Sequence, residues 1–152
     1  MPTYAAGTDV ASDKSRAEIE RTLKRYGATA FAYAWEGEEA RIAFKMDGRQ
    51  VRLSLPLPGL RAYATTPTGK ARSPAATEAA YEQAVRQRWR ALALIVKAKL
   101  EAIEAGIGTV ETEFLASVML ADGSTVGEWA APQLAAVYGR GEMPALMPGG
   151  SG

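Results

Sequence analysis

The chain predicts an α+β fold: a three-stranded antiparallel sheet in αβββα order, one long helix packed across it, and short helices after it. Three observations carry that expectation. Residues 73–106 place apolar side chains at helical spacing without a break, residues 29–57 alternate with a period of two, and Asp47-Gly48 separates two alternating runs. With 152 residues, 47% of them hydrophobic, the chain can close one core. That single domain is expected over residues 1–140, with 141–152 a flexible tail rich in Pro and Gly.

Residues 1–11 read as a short extended segment. A first helix follows through ASDKSRAEIERTLKRYG, with Ser12 or Asp13 as cap, Ser15 and Glu18 at capping-box spacing, Ile19, Leu23 and Tyr26 on one side, and Gly27 as stop. In the sheet, Asp47-Gly48 pairs Phe44 with Val51 and Ile42 with Leu53. A turn at Gly37-Glu38 then sets Tyr33 against Ile42 and Phe31 against Phe44. This register buries the row Phe31, Tyr33 and Trp35, so the aromatics are core and not a platform for bases. The opposite face carries Ala32, Ala34, Arg41, Ala43, Lys45, Gln50, Arg52 and Ser54, small and positive.

Pro56 and Pro58 end the third strand, and Gly59–Arg72 is expected as a long contact loop bearing Arg61, Lys70, Arg72 and Tyr63. The long helix starts at the cap Ser73 with Pro74 in its first turn and stops at Gly106. Tyr81, Val85, Trp89, Leu92, Val96, Leu100 and Ile103 form its buried stripe, and Arg86, Arg88, Arg90, Lys97 and Lys99 lie along it. At 1.5 Å per residue it runs roughly 45 Å. Thr109 caps a short helix, Ala121–Thr125 makes a tight turn, and Thr125 with Glu128 starts a last helix, which Pro132 should kink or divide before Gly139.

Charge is segregated along the chain. From Arg41 to Lys99 there are twelve Lys or Arg against Asp47, Glu78 and Glu82, whereas from Leu100 onward there are seven acids and only Arg140, so a net charge of +1 hides a basic middle and an acidic end. Such a division points to an anionic partner or to pairing between copies. No apolar run long enough for a membrane span and no leader at Met1 is visible, which sets the expectation of a cytoplasmic protein with no membrane partner.

Cysteine and histidine are both absent. That excludes thiol nucleophiles, disulfides, His bases and the usual zinc sites. The four Asp (Asp9, Asp13, Asp47, Asp122) read as turn or cap residues, and Glu36, Glu38 and Glu39 cluster at a hairpin turn. The nearest phosphate-loop match, Thr68-Gly69-Lys70, lacks its first glycine and its terminal Ser/Thr. The reading is a non-enzyme with no cofactor and no metal.

Three stretches, TYAAGTDVASDKSRAEIERTLKRYGATAFAYAWEGEEARIAF, RWRALALIVKAKLEAIEAGI and TEFLASVMLADGSTVGEW, resemble a family of small proteins of unknown function carried by bacteriophages and prophages. The resemblance covers most of the chain; it implies a phage context inside a bacterial host cell and supplies no functional residues. A looser resemblance lies in the order of elements, which is similar to double-stranded-RNA-binding domains and to the core of phage single-strand annealing proteins. The latter implies a single strand held between helix and strands, in a ring of subunits.

Three functions fit these residues. The first is a phage nucleic-acid-binding protein for single strands in replication or recombination, with phosphate contacts from Arg41, Lys45, Arg52, Arg61, Lys70, Arg72, Arg86 and Arg90. The second is an anti-defence protein that binds a host immune effector or holds a nucleotide signal. The third is a homo-oligomer whose basic middle meets the acidic end of the next copy.

Overall fold

A computed structural model describes the chain from residue 3 to 141, with side chains from residue 13 onward. Its elements are α1 (Thr3–Arg25), β1 (Ala30–Glu36), β2 (Glu39–Met46), β3 (Arg49–Pro56), α2 (Pro74–Glu104), α3 (Val110–Glu113) and α4 (Val126–Gly139), with 3-10 turns at Leu60–Tyr63 and Leu115–Ser117. The fold is the α+β one expected, a single antiparallel sheet in the order β1-β2-β3. The expected C-terminal tail lies, apart from Gly141, outside the described residues.

Two tight turns fix the sheet. Asp47 and Gly48 both take positive φ (51° and 72°), the conformation a two-residue hairpin needs to match strand twist. The resulting register is the one read from the sequence: Phe44 faces Val51, Ile42 faces Leu53, Tyr33 faces Ile42 and Phe31 faces Phe44. In two-residue hairpins the flanking residues exchange both hydrogen bonds, and the pattern then alternates. Glu36, Ala34 and Ala32 therefore bond to β2, and the N–H and C=O of Phe31, Tyr33 and Trp35 point to the free edge of β1. By the same count Arg52 and Ser54 turn theirs away from β2 on the far edge of β3.

One face of this sheet is covered by α1 and α2 together. Ile19 and Leu23 from α1, Val85, Trp89, Leu92, Val96 and Leu100 from α2, and Ile42, Phe44, Val51 and Leu53 from the strands form one core. Trp89, only 1% exposed, sits with its ring 5.8 Å from that of Tyr33, and burial of a ring this size contributes about 2–3 kcal/mol. Helix α2 keeps its expected ends. Ser73 Oγ accepts a hydrogen bond from Ala76 N–H at 3.2 Å, and Gly106 follows the helix at φ 80°.

The structure corrects three local expectations. Residues Thr3–Ala11 are helical, not extended, and Ser12 and Asp13 lie inside α1 and do not cap it. From Thr3 to Arg25 there is no proline, and the lone Gly7 among alanines costs about 1 kcal/mol, too little to stop the helix. Trp35 continues the aromatic row but is not buried with it, 64% exposed. Pro132 does not divide α4, which runs as one helix through it.

The C-terminal part returns to the sheet. Val118 bridges Val51, and Met119 N–H donates to Gln50 O at 2.8 Å, so one end of the β3 edge is clipped. The turn that follows is tied by Asp122, whose Oδ1 accepts from Ser124 N–H and from the Ser124 hydroxyl. Helix α4 is then capped by Thr125 Oγ1, accepting from Glu128 N–H at 3.2 Å. None of its residues is buried: Trp129, Leu134 and Tyr138 are all more than half exposed.

Candidate nucleic-acid interface

Beyond the clip at Gln50–Val51, the outer edge of β3 runs open beside α2. The two enclose a groove of about 580 Å³, lined by Ser54, Leu55 and Pro56 on the strand side and by Ala84, Gln87, Arg88, Ala91, Leu92 and Ile95 on the helix side, with Tyr63 at one end. Its walls are largely apolar, with Ser54, Tyr63, Gln87 and Arg88 as its polar residues. Arg88 is anchored there, donating through Nη1 to Pro56 O at 3.0 Å.

The end of the groove is a built structure. The segment expected as a long contact loop contains the 3-10 turn Leu60–Tyr63, which packs on α2, and Tyr63 meets Tyr81 edge-on with centroids 6.4 Å apart. Thr65 then bridges Ala71, and the Thr66 N–H bonds Lys70 O at 2.7 Å, which holds Lys70 at the far side of a closed loop. Arg72 is a tie within this loop: its Nη1 donates to the carbonyls of Tyr63 and Thr65 at 3.0 and 3.1 Å.

The eight basic residues singled out from the sequence are thus distributed over three surfaces. Arg61 shares the turn of Tyr63 and is exposed, as is Lys70. Arg41 and Lys45 lie exposed on the outer sheet face, Arg41 directly across from Ser54 at the groove. Arg41 also pairs with Glu39 at 3.2 Å, and that guanidinium, with the Ser54 hydroxyl, holds the Glu39 carboxyl below its ordinary range. Arg86 and Arg90 are exposed on α2, but residues two apart on a helix are about 200° apart around its axis, so they leave the opposite flank from Arg88.

Arg52 is committed elsewhere. Its Nη1 donates to Gly123 O at 2.8 Å and its Nη2 to Glu128 Oε1 at 2.5 Å, while its Nε is buried without a hydrogen-bond partner among the described residues. With Arg49–Glu111 at 3.5 Å and Lys99 donating to Glu113 O at 2.7 Å, it ties the basic middle to the acidic end within one chain. Part of the charge segregation read from the sequence is therefore satisfied internally.

No protein-family model, curated protein or solved structure matches this chain. The functional reading consequently rests on its own residues. Sequence reasoning named Arg88 among the basic residues along the helix but left it out of the phosphate contacts, although it lies three residues after Val85 and four before Leu92, on the border of the buried stripe. That spacing marks it as flanking the core, and only the packing of α2 against β3 selects its flank over that of Arg86 and Arg90. Among the described residues there is no cluster of three or more acidic side chains that could hold a metal ion, and no helix long and apolar enough to cross a membrane.

Proposed function

We propose that this is a non-enzymatic, phage-encoded nucleic-acid-binding accessory protein that holds a single strand in the groove between β3 and α2 during replication or recombination. The observation that carries the reading is the groove itself: an apolar trough with Arg88 on its wall, Tyr63 at its end, Arg61 in the same turn as Tyr63, Lys70 exposed in the loop that follows, and Arg41 across from Ser54. Its floor of Leu55, Ala91, Leu92 and Ile95 suits the faces of bases, and its guanidinium groups suit phosphates, the division of labour that sequence-tolerant single-strand binding uses.

The test is fluorescence anisotropy of a labelled single-stranded oligonucleotide at low and moderate salt. Binding is expected to weaken with salt, and Arg61→Glu/Arg88→Glu to reduce affinity about tenfold or more, with a smaller loss from Arg86→Glu/Arg90→Glu. No binding at low salt overturns the reading. The second reading, an anti-defence protein seated on a host immune effector, is favoured by α4, whose exposed Trp129, Leu134 and Tyr138 suit a protein partner. It becomes the working one if the anisotropy stays flat.

A further inference from the structure

At the opposite edge of the sheet from the groove, β1 offers a row of backbone groups with no strand partner among the described residues. Within these residues it pairs only with β2, and the alternation set by the Gly37-Glu38 hairpin turns the N–H and C=O of Phe31, Tyr33 and Trp35 outward. Exposed edges are normally blunted by lysine, proline, a bulge within the strand or inward-pointing charge. From Ala30 to Trp35 the strand has no proline and no charge, and its register against β2 is continuous through Glu36. On the helix-facing side Trp35 stands 64% exposed in line with Phe31 and Tyr33.

We propose that β1 is a dimerisation strand: two copies pair their β1 edges antiparallel about a two-fold axis at Tyr33, joining two sheets into one. In that register Phe31 lies opposite Trp35 of the second copy, Tyr33 opposite its counterpart, and Trp35 opposite Phe31 of the second copy. All three outward N–H and C=O pairs are then used, and each exposed Trp35 gains an aromatic neighbour across the seam. On the other face Ala32 meets Ala34 of the second copy, small against small, and Glu36 falls opposite Ala30, so no like charges are brought together. A second copy is the occupant that fits because the strand is complementary to itself: an unrelated peptide could take the hydrogen bonds, but the two-fold pairing is what covers Trp35 with a ring on both sides of the axis. The inference does not rest on the nucleic-acid reading, since the groove belongs to the other edge of the sheet.

The test uses the full chain. Sedimentation equilibrium over a wide concentration range is expected to give a monomer–dimer equilibrium, and the amides of Phe31, Tyr33 and Trp35 are expected to exchange more slowly as the dimer fills. Trp35→Pro removes an N–H that β2 does not use and is tolerated at an edge, so it should leave the circular dichroism unchanged and abolish the dimer. Trp35→Glu, which keeps the backbone donor, should weaken the dimer without touching the core, and guards against misfolding of the proline variant. A chain that stays monomeric at every concentration overturns the proposal. So does a dimer that survives both Trp35 variants, or one dispersed by Trp129→Ala on α4 instead.

Discussion

Asp122 illustrates how one carboxylate ties the turn that leads into a helix. Its Oδ1 gathers the hydroxyl of Ser124 first and the Ser124 N–H second, and these hold its carboxyl below the ordinary aspartate range. A group whose pKa is lowered by folding contributes stability that is fully present above its unfolded pKa, about 3.9, and is lost as pH falls through the folded one. At neutral pH, Asp122→Ala is therefore expected to speed amide exchange at Leu120 and Val126, whose N–H groups close this turn onto Ser124 O and Val118 O. At pH well below the aspartate range, variant and unaltered chain should exchange alike. A difference that persists undiminished in acid would assign the effect to lost packing and not to the carboxylate.

At the scale of elements, α4 depends on its attachment at one end. It has no buried residue, and its N-terminus is held by the Thr125 cap and by Arg52 reaching from β3 to Gly123 O and Glu128. Gly127 permits the approach, since a Cβ there would lie 2.9 Å from the Ala116 carbonyl oxygen. Because Glu128 is half exposed, the ion pair itself is discounted, and Arg52→Ala is expected to cost about 1–2 kcal/mol, chiefly through the bond to Gly123 O. The loss should appear as faster exchange across residues 118–130 with α2 and the sheet unchanged; a uniform rise over the whole chain would contradict this. The Thr125 cap was legible in the sequence, but the Arg52 tie was not, because Arg52 and Glu128 lie 76 residues apart and both fit ordinary surface patterns. The sheet was legible down to its register, because two-residue turns leave a strand no freedom to slip. The start of α1 was misread because Ser12 and Asp13 are good caps, yet nothing before them breaks a helix. The groove was half legible: the basic helix and the proline-ended strand stand out, but periodicity alone does not say which flank of α2 the strand edge meets.

For the whole molecule, what matters is how many cations a bound strand meets at once. The groove reading engages Arg61, Lys70 and Arg88, and a single strand releases about 0.7 counterions per phosphate neutralised, so log affinity against log salt should fall with a slope of about −2. If the strand also crosses the outer sheet face, Arg41 and Lys45 join, and the slope steepens to about −3.5. A salt titration of the unaltered chain separates the two paths. A slope near zero would leave neither standing. The net charge of +1 is no guide here, because Arg49 and Arg52 face Glu111 and Glu128 within the same chain, while Arg41, Lys45, Arg61 and Lys70 stay exposed.

The clip between Met119 and Gln50 also bears on how the chain is made. The strands and α2 pack through residues that leave the ribosome well before Val118, so the hairpins and the helix that covers them can assemble while the C-terminal part is still being synthesised. On such a path the β3 edge closes after the hairpins and α2 have packed, and until then the chain presents that edge at full length. Val110, Phe114 and Val118 belong to the same core, so the segment after α2 completes the packing as well as closing the edge.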